Sequence, residues 1–275
     1  MSRMLKITKK EFAELSAYIK ENYGIYLKEE KTTMVLGRLQ NLLLSKGFTS
    51  FTEYLQYLKH DHTGEATAEL IDKISTNHTF FMREADHFYF FRDQVLPYLK
   101  ENVKDKDLRI WCAACSTGEE SYTLAMLIHE FFGEERYAWD TTILATDISR
   151  KVLAIAEKGV YSKEKIAPLP ALWKAKYFKS IDAENVEIID EIKKSVIYRR
   201  FNLVQKHYPF RRKLHVIFCR NVMIYFDLPT KTELINKFYQ HLETGGYLFI
   251  GHSESINRET SKFKYIMPAV YRKMD

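Results

Sequence analysis

The chain has 275 residues, 46% of them hydrophobic and 28% charged, with a net charge of +6. Such a composition is ordinary for a soluble globular protein, whose core can be sizeable without disulfides or metal. No apolar run is long enough to span a bilayer, and the first residues, MSRMLKITKKEF, lack the apolar core of a signal peptide, so a cytoplasmic protein is expected.

Residues 1–75 read as helices alone, with 11 basic and 10 acidic side chains and therefore a charge of +1. Thr8 and Glu11 form a capping box ahead of Phe12, Leu15 and Ile19, and Gly24 is a stop. A second helix carries Val35, Leu36, Leu39, Leu42 and Leu43 and ends near Gly47. Ser50 and Glu53 form another capping box before Tyr54, Leu55 and Leu58, and a fourth helix runs from about 64 to 74. Together these predict a small all-helical domain over 1–75.

Another helix is expected after Glu84, to about residue 103. The pattern then changes to strands at 109–114, 142–146, 215–219 and 247–251, alternating with helices at 119–132, 149–158 and 230–242. This is the signature of an α/β fold with a doubly wound, Rossmann-like parallel sheet, here over 76–275. A mixed stretch with short β-type runs reads as a small β insertion at about 176–198. The terminal FKYIMPAVYRKM reads as one last strand, its direction left open.

RIWCAACSTGEESYTLAML (109–127) is an apolar strand, a turn of small residues with one glycine, and a helix opening with Glu119 and Glu120. In a doubly wound sheet such a turn borders a nucleotide-like ligand. Glu119 reads either as an acid favoured by the helix dipole or as a carboxylate that attracts a cation. Absence of lysine from the turn argues against a phosphate-cradling loop. Asp147, closing the strand of ILATDIS, reads either as a ribose ligand or as a helix cap. TNHTFFMRE (76–84) sets Asn77, Thr79 and Arg83 around two phenylalanines at the domain junction, with a surface ion pair to Glu84 or Asp86 as the alternative for Arg83. Arg220 and Asn221 end an apolar strand and precede Tyr225. GHSES (251–255) lacks the final glycine of a hydrolase elbow. Cys112 and Cys115 with one further cysteine cannot build a four-thiolate zinc site, no metal is expected, and buried thiols are the simpler reading.

Taken together, TNHTFFMRE, WCAACSTGEESYTLAM, ATDIS, FNL (201–203), IFCRNVMIYFD and GHSES resemble the bacterial chemotaxis receptor (methyl-accepting chemotaxis protein) glutamate O-methyltransferases, the CheR family. The resemblance covers essentially the whole chain. It implies S-adenosylmethionine as cofactor and S-adenosylhomocysteine as product. It implies cofactor contacts from Asn77, Thr79, Arg83, Ala113, Glu119, Asp147, Asn202, Leu203, Arg220 and Asn221. Arg83 is the candidate for orienting the incoming carboxylate and Tyr225 for steering it. A glutamate acceptor is already ionised at neutral pH, so no general base is required.

The implied partner is the cytoplasmic helical bundle of membrane-attached receptors, met by residues 1–75 without insertion into the membrane. A monomer that does not act on nucleic acid is expected. His78 and Met82 depart from the family's usual residues without changing the Asn–Thr–Arg spacing. The 176–198 stretch has no glycine, whereas family members that dock on a receptor's C-terminal pentapeptide carry a glycine-containing turn there, so independence of that tether is expected. Eight basic residues and no acid lie between 193 and 213, a candidate docking surface. The competing readings are a nucleic-acid methyltransferase and a regulatory module that binds S-adenosylmethionine without turnover.

Overall fold

The computed structural model describes residues 5–257, 259 and 261–275. Helix α1 (Lys9–Tyr23) begins where the Thr8 hydroxyl accepts from the Glu11 N–H at 3.2 Å while the Glu11 carboxylate accepts from the Thr8 N–H at 2.9 Å, the reciprocal cap that the sequence predicts. It ends at Gly24, whose φ of 72° suits a residue without a side chain. Helices α2 (Thr32–Ser45), α3 (Phe51–His60) and α4 (Glu65–Ile74) complete the first unit. Their apolar stripes enclose a core that includes Leu15, Ile19, Leu39, Leu43, Phe51 and Leu70.

A long helical segment follows as α5 (Ala85–Phe90), a π-helical turn (Phe91–Val95) and α6 (Leu96–Asn102). Then come β1 (Ile110–Cys112), α7 (Glu119–Phe132), β2 (Ile143–Asp147) and α8 (Arg150–Lys158). Next are β3 (Val160–Ser162), α9 (Lys163–Ile166), α10 (Ala171–Tyr177), β4 (Phe178–Ser180), β5 (Asn185–Ile188) and α11 (Asp190–Lys194). The chain closes with β6 (Val196–Arg200), β7 (Leu214–Cys219), α12 (Leu228–His241), β8 (Leu242–Ile250), β9 (Lys264–Met267) and β10 (Val270–Arg272).

Seven strands form one sheet in the order β6-β2-β1-β7-β8-β10-β9, parallel from β6 to β8 and antiparallel beyond. Alternate residues of each strand enter opposite cores. Ile110, Cys112, Val216 and Phe218 face one layer, and Trp111, Ala113, Ile217 and Cys219 the other. Burial on both faces is why these strands read as unbroken apolar runs.

Two expectations need correction. The small antiparallel sheet has the order β3-β5-β4 and begins at Val160, well before 176, while Val196–Tyr198 pairs with Ile143–Ala145 as an edge of the large sheet. Short apolar runs do not reveal which sheet they join. The terminal segment is a hairpin of two strands, turning at Ala269 with a φ of 61°, and not a single strand.

Candidate active site

The chain runs outward from β1 through β2 to β6, then returns to place β7 on the other side of β1. Loops at the carboxyl ends diverge where the order reverses, and a crevice results. A cleft of about 800 Å³ opens there, a volume suited to a small-molecule ligand. Ala113, Ala114 and Ser116 line it from the turn after β1, Asp147 from β2, Asn202 and Leu203 from beyond β6, and Arg220, Asn221 and Tyr225 from beyond β7. Asn77, Thr79 and Arg83 enter from the linker, and Tyr26, Lys28 and Lys31 close the side next to the helical unit. Nothing in the periodicity of residues 24–31 indicates that they reach the cleft. A bridge between Ile25 and Phe226 and a 2.7 Å hydrogen bond from the Tyr26 N–H to the Tyr225 carbonyl bring them there.

Of the residues singled out in the sequence, Glu119 does not line the cleft. Its side chain is fully buried, accepts from the Thr117 hydroxyl at 2.6 Å and pairs with Lys165 Nζ at 2.7 Å. Glu120 faces the cleft instead. Neighbouring residues of a helix point about 100° apart, so only one acid of the pair can face the ligand.

Asp147 is not the helix cap either. Ser149 caps α8, its hydroxyl accepting from the Val152 N–H at 3.2 Å. The Asp147 carboxylate accepts from the backbone N–H of Ser116 at 2.9 Å and of Ser149 at 3.0 Å, which fixes its plane while each oxygen keeps a lone pair. Burial pushes its carboxyl up from the usual range, against those amide bonds. Asn202 is occupied in bridging: its amide donates to the Asn22 carbonyl at 2.7 Å, and its side-chain oxygen accepts from the Val204 N–H at 3.2 Å.

Arg83 forms no ion pair with Glu84 or Asp86. Its guanidinium donates to the His78 carbonyl at 2.6 Å and lies 5.9 Å from the Phe80 ring centroid. The acid beside it, Glu84, is committed to Arg220. The buried Arg220 guanidinium meets Glu84 at 2.9 Å and Glu120 at 2.8 Å. Glu84 also accepts from the Asn221 amide at 3.1 Å and from the His252 N–H at 3.1 Å. Two carboxylates against one guanidinium leave this corner with a net charge of −1. Glu84, His87 and His252 place one ligand atom each within 4.8 Å of one another, but the carboxylate already serves Arg220, Asn221 and His252.

Glu254, from the GHSES segment, accepts from the N–H groups of Gly251 at 2.6 Å and Asn221 at 3.0 Å. The segment therefore braces the turn after β7. Met82, Glu84, Ser116 and Asn221 all have φ between 48° and 59°. Left-handed backbone in non-glycine residues costs on the order of 1–3 kcal/mol each, and strain of this kind gathers at functional sites. All three cysteines are free and buried, and burial raises each thiol well above its usual range. Several charges of the basic run are committed within the fold: Lys193 pairs with Glu187 at 2.6 Å, Arg200 donates to the Ile148 carbonyl at 3.2 Å, and Arg212 pairs with Asp105 and Asp107.

An open, mostly parallel sheet with such a cleft at its reversal and an acid closing β2 defines a Rossmann-like nucleotide-binding domain. The profile of the CheR methyltransferase SAM binding domain matches residues 77–271, and that of the CheR methyltransferase all-alpha domain matches residues 10–75. The chain belongs to the CheR methyltransferase family, and S-adenosylmethionine is its methyl donor.

The chain is 44% identical to the chemotaxis protein methyltransferase of Borreliella burgdorferi over 98% of its own length and 96% of the relative's. To the chemotaxis protein methyltransferase of Escherichia coli it is 34% identical, over 98% and 93%. To chemotaxis protein methyltransferase 2 of Pseudomonas aeruginosa it is 33% identical, over 96% and 93%. The cleft suits the donor chemically. Hydroxyl, amide and carboxylate groups of Thr79, Asn77 and Asp147 can meet a nucleoside, and the negative corner complements a cationic sulfonium and ammonium. Among the described residues, no helix is long and apolar enough to cross a membrane.

Proposed function

We propose that the enzyme methylates glutamate side chains of chemoreceptors, in the cytoplasm at membrane-attached receptor arrays, to give glutamyl methyl esters. The observation that carries this reading is Arg83, a guanidinium in the cleft wall with no carboxylate partner among the described residues. Lys28 and Lys31 on the adjoining rim are likewise without ion pairs among the described residues, which supports an acidic acceptor segment met by residues 1–75.

In this reading Asn77, Thr79, Asp147, Asn202 and Leu203 hold the nucleoside end of the donor. Ala113 lets it approach the backbone, and Glu120, Arg220 and Asn221 receive the amino-acid end. The donor supplies a methyl group activated by a sulfonium. A carboxylate oxygen forms a bond to that carbon as the carbon–sulfur bond breaks, and both electrons of the broken bond stay on sulfur. The charges of carboxylate and sulfonium cancel, no proton moves, and no base is required. What remains for the protein is alignment at near-attack distance. Arg83 orients the carboxylate, and Tyr225, whose hydroxyl rests on the Thr76 carbonyl at 3.4 Å, steers it.

Docking does not use a receptor tail. The β4–β5 turn contains no glycine and is closed by the Asp182 carboxylate, which accepts from the N–H groups of Glu184 at 2.8 Å and Asn185 at 2.7 Å. A receptor cytoplasmic fragment tests both parts. Label from methyl-labelled donor should enter it, vanish when the modified glutamates are replaced by alanine, and enter at the same rate after removal of the last five receptor residues. Unlabelled fragment contradicts the acceptor, and a rate lowered tenfold by trimming contradicts tether independence.

A further inference from the structure

The turn that carries Ala113, Ala114 and Ser116 into the cleft is gripped from behind by the inserted segment. Tyr161 of β3 is buried, and its hydroxyl donates to the Thr117 carbonyl at 2.7 Å. Lys165 of α9 reaches back to Glu119, the first residue of α7, at 2.7 Å, and its ammonium lies 5.7 Å from the Tyr161 ring centroid. The other oxygen of Glu119 holds the Thr117 hydroxyl at 2.6 Å.

The same surfaces dictate Gly118. Its φ is 96°, and a Cβ there would stand 2.9 Å from each of the Tyr161 hydroxyl, the Tyr198 hydroxyl and the Ala156 methyl. The linker is fastened to the same place, with Phe81 edge-on to Tyr161 at 5.0 Å and to Phe178 at 5.6 Å. Turn, insertion and linker are thus one packed unit, and Lys165 is the cation that balances the charge buried in it.

We propose that Lys165 is a positioning residue for the methyl donor. Without touching the cleft, it neutralises Glu119 and so fixes the 113–118 turn in the shape that receives S-adenosylmethionine. The inference rests on the cofactor placement given under Proposed function. Loss of the ammonium leaves a fully buried carboxylate with only one hydroxyl partner, a state the chain escapes by moving the turn. Donor affinity falls as a result, while the groups that align the acceptor remain. The insertion therefore acts on the donor site, and α9 is the element that carries the effect.

Calorimetric binding of S-adenosylhomocysteine to the full chain tests this without a receptor. Lys165→Met should weaken binding about tenfold, Lys165→Arg should restore most of it, and Glu119→Gln added to Lys165→Met should recover affinity because the buried charge is gone. In steady-state assays the donor KM of Lys165→Met should rise by the same factor with kcat within about twofold. Wild-type affinity in Lys165→Met, alongside weakened binding in Asp147→Asn, overturns the role of Lys165 and leaves the cofactor placement standing. Wild-type affinity in both variants overturns the placement itself. An equal fall in kcat that Lys165→Arg does not repair also overturns the proposal, because general damage then explains the loss.

Discussion

Arg220 and Glu84 meet at 2.9 Å beneath the cleft, one just beyond the carboxyl end of β7 and the other immediately before α5. The pair ties the linker to the turn after β7, and Glu120 ties α7 to the same guanidinium at 2.8 Å. Arg220 also donates to the Arg83 carbonyl at 2.5 Å, so the strained backbone around Arg83 is anchored by a buried charge. Replacing it with methionine leaves two carboxylates without their cation. Removing one partner of a buried ion pair costs about 3–5 kcal/mol. Arg220→Met should therefore lower the unfolding free energy by about 3 kcal/mol in urea titrations. A change below about 0.5 kcal/mol would show that the cluster does not hold the fold.

The same pair sets an acid limit on stability. Burial acts to raise the Glu84 carboxyl, but the Arg220 charge and the bonds from Asn221, Arg220 and His252 prevail and hold it at about 2 against the usual 4.5. An unfolded chain binds this proton below about 4.5, whereas the folded chain does so only near 2. The stability Glu84 contributes is therefore complete above about 4.5 and lost as the pH falls towards 2. His87 adds to the loss from higher pH. Burial and then the Arg220 charge lower its imidazole to about 4 from 6.5, so the unfolded state takes up that proton first. Unfolding free energy should decline from about pH 6.5 downward, and Glu84→Gln should flatten the limb below about 4.5. An unaltered acid limb in Glu84→Gln would contradict the assignment.

Arg83 separates donor binding from transfer. Its guanidinium contacts a carbonyl and an aromatic face and carries no buried ion pair, so its removal should leave the donor site in shape. Arg83→Ala should retain affinity for S-adenosylhomocysteine within a few-fold and lose at least tenfold in kcat with a receptor fragment. Unchanged turnover would remove Arg83 from the transfer step.

Most of the architecture was legible in the sequence because its signals are local. Thr8 with Glu11, and apolar runs ending at Ala113 and Asp147, each carry an element boundary within a few residues. The cleft was legible for a related reason: in an alternating strand–helix chain, residues that end strands converge whatever the loops do. What was missed depends on contacts between distant segments. Glu119 and Glu120 are equivalent in sequence, and the first meets its partner Lys165 only through the distant insertion, 46 positions further on. Asp147 yields the cap of α8 to Ser149, which directly precedes the helix, and its own carboxylate is instead tied to Ser116 in the turn after β1. Residues 24–31 reach the cleft through a bridge to Phe226, 201 positions after Ile25, which no periodicity encodes.

Carboxyl methylation leaves a chemical signature in the linkage it forms. Membranes carrying chemoreceptors would be incubated with the enzyme and methyl-labelled S-adenosylmethionine, washed, and treated with mild base. Label should appear on the receptor band and leave as volatile methanol, as a glutamyl methyl ester must. Label that survives base, or an unlabelled receptor despite measured donor binding, would contradict carboxyl methylation.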